Sequence, residues 1–302
     1  MGFIDNLKLE YKIGGVVQRL IFWNVGLFLF PLIIFSLLKL GGITSPALDW
    51  TIGATQNWFT VNSNPADLLW KPWSLVTYAF LHYGFLHLLM NMLWLFFAGR
   101  MFLTFFTQKQ FFGLYILSGI FAALIFIISY TLLPVFNEIN TPMVGASAAV
   151  MAILVAAAVY APYYEVRLML IGTIKLWYIA AFFIVLDLIY ISAENTGGHI
   201  AHLSGALFGY LYIVLLRRGT DLSTGVSAFL DFFTNLSRSK KSAPFLKVHR
   251  NTPSQQQHRK TAASRPKDLT QQQIDDILDK IGQSGYDSLT KDEKDFLFKV
   301  GK

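Results

Sequence analysis

Residues 143–150 have the sequence Met-Val-Gly-Ala-Ser-Ala-Ala-Val, which places Ser147 between a glycine-led turn and an apolar, alanine-rich segment. A hydroxyl at the head of a buried helix commonly bonds back to the preceding turn, so a structural serine is one interpretation. The other is a nucleophile, which needs a histidine base and oxyanion donors on neighbouring segments. The remaining apolar segments of the chain carry such groups.

The composition is typical of a protein that crosses a membrane several times. Of the 302 residues, 54% are hydrophobic and 16% aromatic, far from the balance of a soluble domain. The absence of cysteine excludes disulfides, thiol catalysis and cysteine-ligated metals. The net charge of +7 does not indicate a nucleic-acid partner, because 16 of the 25 Lys and Arg lie from Arg217 onward, after the last apolar segment. Such a basic tail suits a cytoplasmic location near anionic lipid.

Hydrophobic runs predict an all-α bundle of six membrane spans. Five runs have about the 20 residues that cross a hydrocarbon core, and they cover 19–41, 77–106, 110–134, 171–193 and 199–216. The shorter segment 146–161, headed by Ser147, is the sixth, entered by a loop that dips into the bilayer. No small-residue cleavage site follows the first run, so we expect a span there rather than a removable signal peptide.

Basic residues predict the orientation of this bundle. Lys and Arg cluster before the first span, in the 100–109 turn, between 167 and 175, and after 217; the connections 42–72, 135–145 and 194–198 have almost none. Both termini are therefore expected in the cytoplasm, with 1–18 as a cytoplasmic segment and 19–217 as the membrane domain. The 42–72 connection is expected at the outer interface, because Trp50, Trp58, Trp70 and Trp73 lie in or beside it.

Two further parts are predicted after the membrane domain. Residues 218–269 are basic, with a run of glutamines at 255–257 and scattered prolines, and indicate a flexible linker. Residues 270–302 predict a small cytoplasmic helical pair, because Thr270 with Gln273 and Thr290 with Glu293 match capping boxes ahead of apolar residues. We expect this pair to oligomerise or tether the protein rather than to catalyse.

Polar residues open the second predicted span. At about 100° per residue, His87 and Asn91 project from nearly the same helical face, whereas His82 lies about 140° from His87. Polar groups inside a bilayer are costly and commonly functional, and His87 and Asn91 are candidate oxyanion donors together with the backbone N–H of Ser147. His82 is expected to be a structural residue that makes an interhelical hydrogen bond.

The last predicted span carries the candidate base. His202, Gly205 and Gly209 share one stripe of the helix, and Gly205-x-x-x-Gly209 is a close-packing pattern of membrane helices. The alanine-rich segment after Ser147 is the expected partner, which would bring the Ser147 hydroxyl to the His202 imidazole. A neutral imidazole in that position accepts the serine proton.

Two other polar arrangements are weaker candidates. Asp187 is the one acidic residue well inside an apolar run, and we expect it to bond within the bundle. A contact with His202 is the less favoured alternative, and a Ser147–His202 dyad is the simpler proposal. A zinc site would draw on His82, His87, His199 and His202. These histidines lack the i, i+4 pair with an adjacent glutamate that zinc proteases use, so no metal is expected.

Three separated motifs resemble those of the rhomboid family of intramembrane serine proteases. They are Gly145-Ala146-Ser147-Ala148, His82-x4-His87-x3-Asn91 and Ala201-His202-x2-Gly205-x3-Gly209, and the resemblance covers roughly residues 65–216. It implies a six-helix bundle in which Ser147 is the nucleophile, His202 the base, His87 and Asn91 oxyanion-stabilising groups, and His82 a largely structural residue. It further implies cleavage of transmembrane protein substrates near the outer membrane face, without metal or cofactor.

Two positions depart from the family pattern without removing a catalytic group. Ala148 stands where a glycine often follows the serine, and Trp73-Ser74 stands where a Trp-Arg pair is often seen. We expect a bacterial inner-membrane protein with transmembrane substrates and membrane lipid as partners. Its oligomeric state is left open, as is the route of the substrate, past Trp177 and Phe182 or over the 42–72 connection.

Two other functions remain open from the residues alone. A proton or ion pathway would also place His and Asn inside a bundle, but it would not need Ser147 as a nucleophile. A non-catalytic membrane scaffold would bind other transmembrane segments, and its binding would survive changes at Ser147 and His202.

Overall fold

The computed structural model describes residues 2–43, 58–137, 139–168, 172–192, 195–237 and 269–300. The chain divides into two compact units, Met1–Lys241 and Ser242–Lys302. The helices of the first unit are α1 (Phe3–Ile13), α2 (Val16–Leu40), α3 (Asp67–Trp70), α4 (Ser74–Thr77), α5 (Phe85–Leu103), α6 (Gln108–Leu132), α7 (Ser147–Tyr160), α8 (Leu176–Tyr190), α9 (Thr196–Arg217) and α10 (Ser223–Ser237). Short 3₁₀ helices lie at Tyr78–Phe80 and Pro134–Phe136.

In the part of the chain that the structure describes, two small antiparallel ladders accompany these helices. β1 (Val61–Asn62) pairs with β2 (Pro142–Met143), with Val61 opposite Met143. β3 (Glu165–Leu168) and β4 (Gly172–Lys175) pair with Glu165 opposite Lys175. The first ladder joins the segment before α3 to the segment that leads into α7.

The predicted all-α membrane bundle is confirmed. Within the described residues, α2, α5, α6 and α9 are long and apolar enough to cross a membrane, and α7 and α8 are shorter apolar helices. Each of these six helices falls on one of the predicted runs. A long apolar run leaves water most favourably as a helix buried in lipid or protein, so the run marks the position of the helix.

The centre of the bundle is α7. Every residue from Ala148 to Ala158 is buried, as expected of a helix that is apolar on all sides. Its neighbours are α5, α6, α8 and α9, and α9 makes the most extensive contact. The many alanines of α7 let these neighbours approach closely, so the helix that begins with Ser147 is held on all sides.

Two glycines set the register between α7 and α9. A Cβ atom on Gly205 would overlap the carbonyl oxygen of Ala148, and one on Gly209 would overlap that of Ala152. Both contacts advance by four residues in the same direction, so the two helices run parallel at this interface. The backbones therefore touch along the stripe that also carries His202.

The predicted second span is wrong in its first part. Residues 77–84 do not continue α5, because Tyr78–Phe80 form a 3₁₀ turn and Gly84 is fully extended (φ −166°, ψ 170°). The Tyr115 hydroxyl donates a hydrogen bond of 2.8 Å to the Ala79 carbonyl and fixes this turn on α6. His82 therefore lies ahead of the helix, and the angle predicted between His82 and His87 does not apply.

The predicted fifth span also begins too early. Residues Gly172–Lys175 form β4, and α8 begins at Leu176. The Val166 and Ile174 side chains lie on opposite strands of the β3–β4 ladder, where β-branched residues fit well. An apolar run alone does not distinguish such a strand from the first turn of a helix.

The tryptophans of the 42–72 connection are described in part. Trp50 lies outside the described residues, whereas Trp58, Trp70 and Trp73 are exposed. The rings of Trp58 and Trp73 are stacked 6.3 Å apart, and the Trp73 Nε1–H donates to the Trp58 carbonyl at 2.8 Å.

Part of the predicted linker is helical. Residues 223–237 form α10, which packs on α6, whereas 238–268, including the glutamine run, lie outside the described residues. The helix begins after Asp221, whose carboxylate accepts hydrogen bonds from the Ser223 N–H, Gln110 and Tyr212. Burial alone would raise the pKa of Asp221, but these hydrogen bonds lower it below its usual range. An acidic cap of this kind stabilises a helix N-terminus.

The second unit contains α11 (Leu269–Ser284), a 3₁₀ turn (Tyr286–Ser288) and α12 (Lys291–Val300). The Thr290–Glu293 capping box is formed, with the Thr290 N–H donating to Glu293 at 2.7 Å. Hydrogen bonds from Lys280 and Thr290 lower the pKa of Glu293 to about 2. The box predicted at Thr270 depends on a side chain that lies outside the described ones, and α11 begins at Leu269.

Candidate active site

Ser147 is the first residue of α7 and is presented by a tight turn. The chain arrives through β2, and the Gly145 N–H donates to the Tyr78 carbonyl at 3.0 Å. Gly145 has φ +131°, in the region that favours glycine. The turn therefore requires a residue without a side chain two positions ahead of the serine.

A cavity of about 880 Å³ opens at this end of α7. The predicted nucleophile, base and oxyanion donors all line it: Ser147, His202, His87 and Asn91. Most of the remaining lining is apolar, with Trp94, Met151 and Phe183 among the large side chains. The cavity thus combines mainly apolar walls with a small group of polar side chains, as ligand sites commonly do.

The packing of α7 on α9 brings Ser147 and His202 to the same wall. Gly205 contacts Ala148, so His202, about one turn earlier on α9, lies level with the turn that precedes α7. His199 lies three residues farther from the Gly205 contact. Within the described residues no hydrogen bond joins Ser147 to His202, and such bonds commonly tighten only when a substrate is bound.

His87 approaches the serine from α5. A Cβ atom on Gly145 would lie 3.0 Å from the His87 Nε2 and 3.6 Å from the Ser147 Oγ, so the imidazole and the hydroxyl flank the same glycine. The Asn91 amide donates to the His87 carbonyl at 2.9 Å, one turn away on the same helix. One of the two amide hydrogens of Asn91 remains for another acceptor.

Asp187 does bond within the bundle, but its partners include His202, which is the less favoured alternative from the sequence. The Asp187 Oδ1 lies 2.9 Å from the His202 Nδ1 and 2.7 Å from the His199 Nδ1. The Asp187 side chain is 7% exposed. The contact follows from the short connection between α8 and α9: Asp187 precedes Ile191 by four residues, and His199 follows Asn195 by four. Residues equally far along the sequence from a short connection face each other in two antiparallel helices.

These three side chains form a hydrogen-bonded cluster. Asp187, His199 and His202 bring three ligand atoms within 4.8 Å of one another, a grouping that sequence spacing did not reveal. Both Nδ1 atoms, however, lie at hydrogen-bond distance from a single carboxylate oxygen. The geometry is that of two donors on one acceptor.

Residues 69–219 match the family model described as the Rhomboid domain. The chain belongs to the rhomboid family. It is an integral membrane protein with several apolar helices. The rhomboid match runs from α3 to the end of α9 and includes every residue of the candidate site. Residues 264–299 match the model of a family of unknown function (DUF6576), and a comparison with curated proteins gave no match.

His82 occupies a different position in this rhomboid domain from the one predicted. Its side chain is 3% exposed, and neither ring nitrogen has a hydrogen-bond partner within the described residues, so the predicted interhelical hydrogen bond is not formed. Its ring packs edge-on against His87 with 5.0 Å between the ring centres. His82 thus supports the oxyanion candidate by packing.

Proposed function

We propose that this rhomboid-family protein is an intramembrane serine endopeptidase that hydrolyses peptide bonds of transmembrane protein substrates near the outer membrane face. The observation that supports this most directly is the shared cavity, which collects Ser147, His202, His87 and Asn91 from three different helices. A lone polar residue in a bundle has many structural explanations. A serine, a histidine and two further donors around one cavity match the needs of acyl transfer.

In the proposed reaction the Ser147 Oγ attacks the scissile carbonyl carbon while His202 takes the hydroxyl proton. The carbonyl oxygen becomes an oxyanion, for which His87, the second amide hydrogen of Asn91 and the backbone N–H of Ser147 are the candidate donors. Removal of one such donor typically costs about 2.7–4 kcal/mol in the barrier. His202 then protonates the leaving amine, and water hydrolyses the Ser147 ester to regenerate the hydroxyl.

The proposal includes an orientation. Connections poor in Lys and Arg lie at the Ser147 end of the bundle, and the positive-inside rule assigns that end to the outer face. Both termini are then cytoplasmic, and the membrane is the inner membrane of a bacterium. Transmembrane segments of other proteins are the substrates, and the reaction uses neither a metal nor a cofactor.

The test is fluorophosphonate labelling of the purified protein in detergent, with the labelled peptide identified by mass spectrometry. We expect one labelled residue, Ser147, and no labelling of Ser147→Ala, because the probe reacts with activated serines. Thermal unfolding of both proteins shows that each preparation is folded. A folded wild-type protein without labelling would contradict the protease proposal and favour a non-catalytic scaffold.

Gly145→Ala is expected to reduce the labelling rate at least about 100-fold, close to the loss of an oxyanion donor. The new Cβ would adopt a strained φ and would press on His87, which stands 3.0 Å away. The matched control is Gly84→Ala, because Gly84 has open space around it and an extended backbone. Equal labelling rates for Gly145→Ala and the wild type would show that this turn does not position the site.

A further inference from the structure

The buried carboxylate of Asp187 is the feature that the dyad mechanism does not use. It lies on α8, and within the described residues it is hydrogen-bonded to two imidazoles of α9, at 2.7 Å and 2.9 Å. A carboxylate buried in a bundle is costly unless its oxygens are satisfied. Two donors on one oxygen offset that cost and hold the carboxylate in one orientation.

We propose that Asp187 is a positioning residue for His202, so that the site operates as a Ser147–His202–Asp187 triad. The inference rests on the proposed protease function. An ionised carboxylate only accepts hydrogen bonds, so the His202 Nδ1 must carry the proton that fills the 2.9 Å contact. The lone pair of the neutral ring is then on Nε2, the nitrogen that remains to face the Ser147 hydroxyl.

His199 has a separate part in this arrangement. Its Nδ1 is bonded to the same Oδ1 at 2.7 Å, and its ring stacks on Tyr190 with 6.3 Å between the centres. His199 therefore anchors the carboxylate from the side away from the Gly205 contact. Asp187 is held by one imidazole and orients the other.

The carboxylate has a second effect during the reaction. When His202 takes the serine proton, the ring becomes an imidazolium beside the Asp187 oxygen. An opposite charge at hydrogen-bond distance stabilises that ion pair in a site of low dielectric. Asparagine at position 187 would keep the shape of the side chain but would lose this charge, and its amide would favour the wrong tautomer of His202.

The experiment compares wild type, Asp187→Asn, His202→Ala, Ser204→Ala and the double variant Asp187→Asn/His202→Ala by fluorophosphonate labelling over a range of probe concentrations. For Asp187→Asn we expect the saturating rate constant of labelling to fall at least about 100-fold. In a Ser-His-Asp triad of the chymotrypsin type, the same Asp→Asn change lowers kcat about 10⁴-fold. The half-saturating probe concentration should change less than about twofold, because Asp187 acts on the reaction step and not on the initial binding of the probe. Ser204→Ala removes another polar group of α9, a hydroxyl that, among the described residues, donates to the Ile200 carbonyl of its own helix, and this variant should label like the wild type.

A structural role for Asp187 would give a different pattern. It would raise the half-saturating concentration, lower the thermal unfolding midpoint, and slow the double variant further than His202→Ala alone. Either that pattern or full labelling of Asp187→Asn overturns the inference while the protease function stands. Absence of Ser147 labelling in the wild type overturns both proposals together.

Discussion

His202→Ala is expected to reduce fluorophosphonate labelling of Ser147 by at least about 10⁴-fold, whereas His199→Ala is expected to cost about tenfold or less. Both histidines bind the same oxygen of Asp187 and line the same cavity, so the cluster alone does not distinguish them. The helix register does. Gly205 meets Ala148, and His202 is the histidine that lies nearer to this contact, level with the turn that leads into Ser147.

The measurement is the second-order labelling rate of each variant at one protein concentration, with thermal unfolding as the folding control. His199→Ala keeps the His202–Asp187 hydrogen bond and is therefore the matched control for a lost imidazole. If the two variants lose labelling equally, the cluster acts as a whole and His202 is not the sole base. If His199→Ala alone loses labelling, the assignment of His202 is wrong.

The sequence predicts the scaffold because hydrophobic runs and small-residue stripes report the forces that build it. Apolar runs of membrane-crossing length locate all six apolar helices, since burial in lipid or protein selects them directly. The alanines of α7 and the stripe of Gly205 and Gly209 indicate the closest helix pair, because only small residues permit backbone contact. The catalytic roles of Ser147 and His202 stay predictions until labelling is measured.

The predictions for His82 and Asp187 differ from the structure because an apolar run does not report where a helix is interrupted or which residues of other helices it contacts. His82 is misplaced because the 3₁₀ turn at Tyr78–Phe80 and the extended Gly84 interrupt a run that reads as one helix. The contact of Asp187 with His202 is only the less favoured alternative from the sequence, because both partners of Asp187 lie on another helix and periodicity within α8 does not report them. A signal was available in the short connection between α8 and α9, which sets Asp187 and His199 at equal distances from it.

Gly205→Ala is expected to lower the free energy of unfolding by at least about 4 kcal/mol, a loss that only the most disruptive substitutions in a protein core cause. The added Cβ would overlap the Ala148 carbonyl oxygen, and backbone cannot move aside as a flexible side chain does. Separation of α9 from α7 also draws His202 away from Ser147, so labelling should fall with stability. No reorientation of a side chain relieves this contact.

The matched control is Gly26→Ala on α2, an identical change in another membrane-crossing helix where nothing lies within 4 Å of the new Cβ. Since alanine is the better helix former by about 1 kcal/mol, Gly26→Ala should be neutral or slightly stabilising. Unfolding in SDS titrations of the detergent-solubilised proteins measures both variants on one scale. Equal stability of Gly205→Ala and Gly26→Ala would mean that α9 does not contact the α7 backbone at Gly205. The helix register that pairs His202 with Ser147 would then be wrong.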